Sequence, residues 1–343
     1  MRAFFAAIVV MVLAIPVGAQ EISFSQLHGW QKDDHLAALN VFQNSCDRLG
    51  GSAWRPICNL AKDAGESRES ARAFFEMLFQ PTLIGQPPAL FTGYFEPALN
   101  GSKTRTARFQ HPLYARPKDL TDGQAYKTRA QIEAGALRGQ GLELAWVEDP
   151  VDVFFMHIQG SGRIVLPNGQ VLRLGYAGDN GYGYTAIGNE LVRRGVLKEH
   201  QVSAKAIQNF VRADPAMGER LLNLNPSYVF FRHIKNLRPE SGPLGAMALS
   251  ITPHRSIAVD PKFVRLGAPV WVEKAGANPI NRLMIAQDTG GAIKGAQRAD
   301  IFFGTGAQAG EEAGNLRDAG RMVQLWPNDL LPDPSLFAVQ DGG

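Results

Sequence analysis

Three aspartates in the C-terminal part of the chain stand where acid chemistry could be done. Asp260 closes Ser-Ile-Ala-Val-Asp, Asp288 closes Met-Ile-Ala-Gln-Asp, and Asp300 opens Asp-Ile-Phe-Phe. Each is attached to a short apolar run, so each would ride on a strand end and be partly desolvated. A carboxyl group in such surroundings titrates above its ordinary range, which suits it to general-acid work. Between Asp288 and Asp300 lies a basic, glycine-rich loop, 289–298, that permits tight turns and close approach to a ligand. For each Asp the commoner role is to cap a turn by accepting nearby backbone N–H groups, and that reading stands beside the catalytic one.

The elements that must position these acids follow from periodicity. Short apolar stretches at 247–251, 257–259, 269–273, 283–287, 299–303 and 321–325 predict strands, and their close succession suggests a small barrel. Upstream, Asp33 or Asp34 can cap a helix with apolar positions Leu36, Leu39, Phe42, Cys46 and Leu49, stopped by Gly50-Gly51. A second helix is expected over 66–79, ending before Pro81, and a strand over 90–97. From 100 to 232 the pattern predicts short strands, among them 151–159, and a hairpin of 163–166 with 171–174 around Pro-Asn-Gly. Helices follow at 184–194, 203–212 and 215–224, with Ser203 and Asp214 as caps. The fold class is therefore mainly β, with a helical N-terminal segment and a second β-rich region that carries helices.

Residues 1–19 combine Arg2, an apolar run over 3–17 and small residues at Val17-Gly18-Ala19. This is the pattern of a cleavable export signal, shorter than the ~20 residues that cross a bilayer, with the mature chain starting near Gln20. No cysteine follows the run closely, so a lipid anchor is not supported and a periplasmic location is expected. A formal net charge of +3 is too small to argue for nucleic acid. Cys46 and Cys58 could form a disulfide in an oxidising compartment or stay as two buried thiols. The seven histidines lack ligand spacing, so neither a metal nor another cofactor is expected. The length allows two domains, in tandem or with one inserted in the other.

Several rarer strings occur in order: Phe91-Thr-Gly-Tyr-Phe-Glu-Pro97, His157-Ile-Gln-Gly-Ser-Gly162, Tyr176-Ala-Gly-Asp-Asn-Gly181, Asn225-Pro-Ser-Tyr-Val-Phe-Phe231 and Asp288-Thr-Gly-Gly-Ala-Ile-Lys-Gly295. In this combination the chain resembles the MltA family of membrane-bound lytic transglycosylases, including its three-aspartate 3D domain, from about Pro87 to Trp326. The resemblance implies a double-psi β-barrel built from 20–98 and 238–330, an inserted β-rich glycan-binding domain over 99–237, and a tail at 331–343. It also implies a groove for a peptidoglycan strand. The implied reaction is non-hydrolytic cleavage of the MurNAc–GlcNAc β-1,4 bond, leaving 1,6-anhydro-MurNAc ends. Asp300 matches the family's acid, which then turns base, and Asp260 and Asp288 match the supporting acids. A neighbouring Asp288 would raise the pKa of Asp300 by like charge. Thr92, Tyr94, Gln159 and Ser161 would line the groove, and Lys294 could meet a peptide-stem carboxylate. Trp146, Tyr182 and Tyr184 could stack on sugars, although scattered aromatics are more often core. The resemblance suggests a monomer with cell-wall synthesis or division proteins as its protein partners.

Three other readings compete. Gln287-Asp288-Thr289-Gly290 is also like the element of aspartic proteases, which need two such elements, and no second one occurs here. A hydrolase could use the same groove with Asp300 and a second Asp as an inverting pair. A wall-glycan-binding protein without activity would need the groove alone.

Overall fold

Asp34 accepts a hydrogen bond from the Ala37 backbone N–H at 3.1 Å and so starts helix α1, His35–Ser45. Its neighbour Asp33 is used differently: it accepts from both Arg255 guanidinium nitrogens, at 2.8 and 2.9 Å, and from the Leu283 N–H at 2.8 Å. This ties the helical segment to the strands that follow later. Helices α2 (Trp54–Asp63) and α3 (Arg68–Leu78) complete a layer whose buried rings, Phe42, Trp54, Phe74, Phe75 and Phe79, form one aromatic cluster. Burying each such side chain contributes roughly 1.5–3 kcal/mol. Cys46 and Cys58 are joined in a disulfide between the end of α1 and α2, with Cα atoms 5.6 Å apart. The computed structural model describes residues 18–51 and 54–328. All but the last two positions of the export signal read at 1–19 lie outside the described residues, as does the tail at 331–343.

One sheet is drawn from both ends of the chain. It contains β1 (Ala19–Glu21), β2 (Phe79–Ile84), β3 (Ala89–Glu96), β10 (Ser256–Val259), β11 (Pro269–Lys274), β12 (Ile280–Asp288), β13 (Arg298–Thr305) and β14 (Arg317–Pro327). Strands β14, β11, β12, β10, β13 and β3 pair in that order, and β3 pairs back onto β14, so the hydrogen bonding closes into a circuit. Valines, isoleucines and alanines from these strands, among them Val259, Val270, Ala286 and Ile301, fill its interior. A short helix that periodicity did not reveal, α9 (Ala307–Gly314), packs against β3 and β13.

The second sheet lies between them in sequence: β4 (Ala98–Ser102), β5 (His111–Tyr114), β6 (Glu143–Val147), β7 (Ser161–Val165), β8 (Val171–Asp179) and β9 (Val229–His233), in the order β5-β6-β4-β7-β8-β9. Around it lie α4 (Arg129–Gln131), α5 (Pro150–Gln159), α6 (Ile187–Arg193), α7 (Ala204–Ala213) and α8 (Pro215–Leu222). The protein is thus mixed helix and sheet rather than mainly β.

Two expected strands are absent. Residues 151–159 form α5, because the Asp149 carboxylate accepts from Val151 N–H, Pro150 occupies the first turn, and Gly160 ends the helix at φ 74°. Its apolar run looked continuous because it is buried on two sides: Val153 and Met156 pack on the sheet, whereas Val151 and Phe154 pack on α6 and α8. Residues 247–251 form a turn rather than a strand, with Ala248 at φ 56° and a single bridge from Leu244 to Ser250.

A buried charge cluster sits where the chain crosses between the sheets. Glu96, 1% exposed, ends β3 and accepts from Arg163 at 2.7 Å, Arg173 at 3.2 Å and the Thr305 hydroxyl at 2.8 Å. The same arginines bond the returning crossing: Arg163 donates to the Pro239 and Ser241 carbonyls, at 2.7 and 2.9 Å, and Arg173 to the Arg238 carbonyl at 3.1 Å. One carboxylate thereby holds both crossings.

Candidate active site

Strand register alone brings two of the three aspartates together. Asp288 on β12 lies opposite Ala258 on β10, Ala258 lies opposite Asp300 on β13, and Asp300 lies opposite Thr92 on β3. These four residues form a row across neighbouring strands, so their side chains share a face. With strands about 4.8 Å apart, the Cα atoms of the two acids are roughly 10 Å apart. Tyr94 is two residues beyond Thr92 on β3 and therefore projects to the same side. The apolar surround is Tyr94, Ile251, Ala258, Ile293 and Phe302.

The two carboxylates are held differently. Asp288 Oδ1 accepts from the Thr289 and Ala246 backbone N–H groups, both at 2.9 Å, and Oδ2 accepts from the Tyr94 hydroxyl at 3.0 Å. Burial is the main cause that pushes its pKa up to about 6; these hydrogen bonds pull the other way, and the charge of Asp300 adds the smallest push. Asp300 Oδ1 accepts from the Thr92 hydroxyl at 2.6 Å. Its Oδ2 has no partner among the described residues and is not sealed in. Burial raises the pKa of Asp300, opposed by the Thr92 hydrogen bond and the Arg298 charge. Desolvation, rather than the like charge expected from Asp288, is what lifts the Asp300 pKa. Tyr94 is itself pushed well above the ordinary phenol range by burial and by Asp288, so it remains a proton donor.

Asp260 does not join this row. It is buried at the end of β10, where Oδ1 accepts from Lys262 N–H at 3.1 Å and Oδ2 from Gly295 N–H at 2.8 Å. Its place is that of an anchor for the glycine-rich loop. Gln159, at the end of α5, accepts from Phe95 N–H at 2.9 Å and so joins the second sheet to the strand that carries Thr92 and Tyr94. Ser161 is buried on β7 opposite Gly175, with no bond to the acids among the described residues. Lys294 is exposed in the loop. Among the described residues no cluster of His, Cys, Asp and Glu is arranged to hold a metal ion.

Two contributors escaped the sequence reading. Arg298 donates to the Thr92 hydroxyl at 2.7 Å, so Thr92 relays a guanidinium charge to Asp300. The available signal was parity: 298 and 300 lie on one face of a strand. Gly93 lets β3 approach α9 closely, since a Cβ there would stand 2.7 Å from the Ala313 Cα.

The sequence and the fold both have counterparts among known proteins. The MltA specific insert domain matches residues 90–232, and the 3D domain matches 255–326. Membrane-bound lytic murein transglycosylase A of Escherichia coli K12 is 32% identical over 307 residues, spanning 85% of this chain and 81% of that protein. The protein of that name from Vibrio cholerae is 37% identical over 251 residues, spanning 70% of this chain and 66% of its own length. Among solved structures, MltA from Neisseria gonorrhoeae aligns with a TM-score of 0.79 at 33% identity, covering 92% of this chain and 94% of that one. E. coli MltA with bound chitohexaose aligns with a TM-score of 0.71 at 29% identity, covering 91% and 92%. With both domain signatures in place and relatives matched over most of their length, this chain belongs to the MltA family of lytic murein transglycosylases.

Proposed function

We propose that this protein cleaves the MurNAc–GlcNAc β-1,4 bond of peptidoglycan without water, with Asp300 as the single acid and base. The observation that carries the reading is the unequal commitment of the carboxylates. Both oxygens of Asp260 and of Asp288 are taken by protein donors, whereas Asp300 offers Oδ2 to a substrate. Burial favours the protonated form of Asp300 at rest. That proton passes to the glycosidic oxygen as the bond from C1 breaks. The resulting carboxylate is stabilised by the Thr92 hydroxyl and, through it, Arg298. It then takes the proton of the sugar's own C6 hydroxyl as that oxygen bonds to C1, which restores the acid. No water is consumed and no second carboxylate is required, unlike ordinary glycoside hydrolysis.

Asp288 serves this reading as a positioning group, holding Tyr94 and the 245–246 turn. The strand circuit is read as a double-psi barrel formed by 20–98 and 238–330, and the second sheet as a glycan-binding domain inserted at 99–237. Thr92, Tyr94, Gln159, Ser161 and Lys294 then border the groove. The envelope is the compartment in which such a substrate is met, and export to the periplasm fits the signal-like start of the chain.

Inverting hydrolysis is the second reading, favoured by the roughly two-strand separation of Asp288 and Asp300, which leaves room for a water. Digestion of purified sacculi in H2(18)O separates the two. Anhydro-muropeptides free of label are expected; labelled reducing ends would replace the transglycosylase reading with hydrolysis. Bound glycan with no soluble product would leave a binding protein.

The relay predicts a pH effect. Thr92→Val removes a hydrogen bond that lowers the Asp300 pKa, so the folded-state pKa rises. Activity needs the protonated acid, so the alkaline limb of kcat/KM moves to higher pH in the variant. Loss of a charge-assisted hydrogen bond worth about 1.5 kcal/mol lowers the maximum rate roughly tenfold. An unmoved alkaline limb would show that Thr92 does not tune the acid.

A further inference from the structure

The row of residues that carries Asp300 has a cationic end. On β3, Thr92 lies opposite Asp300 on one side and opposite Arg317 of β14 on the other. The row therefore runs Asp288, Ala258, Asp300, Thr92, Arg317 across five strands, and these side chains share one face. Two strand spacings of about 4.8 Å put the Arg317 and Asp300 backbones roughly 10 Å apart. Strand β11 pairs with β14 only from Gly320 to Gln324, so among the described residues no strand continues the row beyond Arg317. Helix α9 does not cover this face. It meets β3 at Gly93, where an added Cβ would touch Ala313, and position 93 faces the opposite side from Thr92.

Arg317 is exposed, and its side chain has no hydrogen-bond or ion-pair partner among the described residues. Its neighbour Asp318 projects to the other face, where it accepts from Lys274 at 2.7 Å. Arg298, the second cation on this face, gives its donors to the Thr92 hydroxyl and to the Ala299 and Leu90 carbonyls. Burial lowers the Arg298 pKa, the Asp300 charge raises it, and the Arg317 charge lowers it again, so the two guanidinium groups act on one another. Burial also favours the neutral form of Asp300. While that acid holds its proton, the end of the row beside Thr92 carries two positive charges and no ionised carboxylate to answer them.

Such a place favours an anion, and a carboxylate matches the guanidinium fork with two parallel N–H donors. The inference rests on the peptidoglycan reading, which supplies the anion. A murein strand alternates two β-1,4 bonds between sugars of almost the same shape, and the O3 substituent of MurNAc is what tells them apart. GlcNAc is uncharged. The MurNAc substituent ends in a free lactyl carboxylate on denuded strands and carries peptide carboxylates on strands that keep their stems. We propose that Arg317 binds a carboxylate of this O3 substituent, and thereby sets which of the two bonds lies at Asp300. Its part is affinity and register along the strand, not proton transfer.

Initial rates on stem-bearing strands and on strands denuded by an amidase test this, with wild type, Arg317→Gln and Arg317→Lys compared. Arg317→Gln is expected to raise KM about tenfold, the usual worth of a hydrogen bond to a charged group, and to leave kcat nearly unchanged. It should also abolish the rise of KM with salt expected of the wild type, and Arg317→Lys should recover part of the loss. A KM effect on denuded strands assigns the carboxylate to the lactyl group; an effect confined to stem-bearing strands assigns it to the peptide. Chitohexaose has no carboxylate and should bind wild type and both variants equally. Unchanged KM on both kinds of strand, or an equal loss of chitohexaose affinity, overturns the proposal. Failure of the wild type to form anhydro ends would count against the proposed function instead. Affinity for the same strands, measured by calorimetry in Asp300→Asn with and without Arg317→Gln, is read without turnover and still shows whether Arg317 holds a carboxylate.

Discussion

Asp300→Asn is expected to release almost no anhydro-muropeptides from purified sacculi while still binding chitohexaose. The substitution keeps the shape of the side chain and the oxygen that accepts from Thr92 at 2.6 Å, but removes the transferable proton. General acid–base catalysis by one positioned group contributes about 10²- to 10⁴-fold. Here one group performs both halves, so the loss should reach the upper end, about 10⁴-fold in kcat. Asp288→Asn is the informative control. Its oxygens are occupied by Tyr94 and two backbone N–H groups, so the variant should keep measurable turnover and the same anhydro products. Equal loss in both variants would instead favour a carboxylate pair and the hydrolytic reading.

Glu96→Gln should lower the free energy of unfolding by about 3–5 kcal/mol, the usual effect of removing one partner from a buried ion pair. Gln fills the same space but leaves Arg163 and Arg173 facing each other without a counter-charge, in a cluster closed on most sides. Urea unfolding monitored by fluorescence measures the change. Arg163→Met leaves Glu96 with Arg173, so the double variant should lose clearly less than the sum of the two single ones. A loss under 1 kcal/mol for Glu96→Gln would show that the cluster contributes little to holding the crossings. Because Glu96 ends the strand that carries Thr92 and Tyr94, a decline in turnover should accompany the loss of stability.

Much of this architecture could be read from local chemistry. Caps at Asp34, Ser203 and Asp214, each now seen accepting a backbone N–H, start helices near where the side-chain pattern places them. The hairpin at 163–174 formed around Pro-Asn-Gly, where Gly169 takes φ 81°. The pattern failed where an element is buried on more than one side. Helix α5 carries apolar residues toward both the sheet and the neighbouring helices, so neither a period of two nor of 3.6 stands out. The turn at 247–251 is apolar because it packs near the acids, with Ile251 in their surround and Ala246 N–H given to Asp288.

The sequence by itself determined which carboxylates sit at strand ends, that the loop between Asp288 and Asp300 can turn tightly, and to which family the ordered strings point. These follow from side-chain type and spacing, which act within a few residues. Only the tertiary structure decided which acid is free. Asp260, Asp288 and Asp300 look alike along the chain, but strand register places Thr92 beside Asp300, Tyr94 beside Asp288 and the Gly295 N–H on Asp260. The partners come from 194 and 208 residues away for Asp288 and Asp300. A carboxyl's pKa and its spare oxygen are set by what surrounds it in space, so the difference between one carboxylate with a spare oxygen and two whose oxygens are both bonded emerges only when the strands pair.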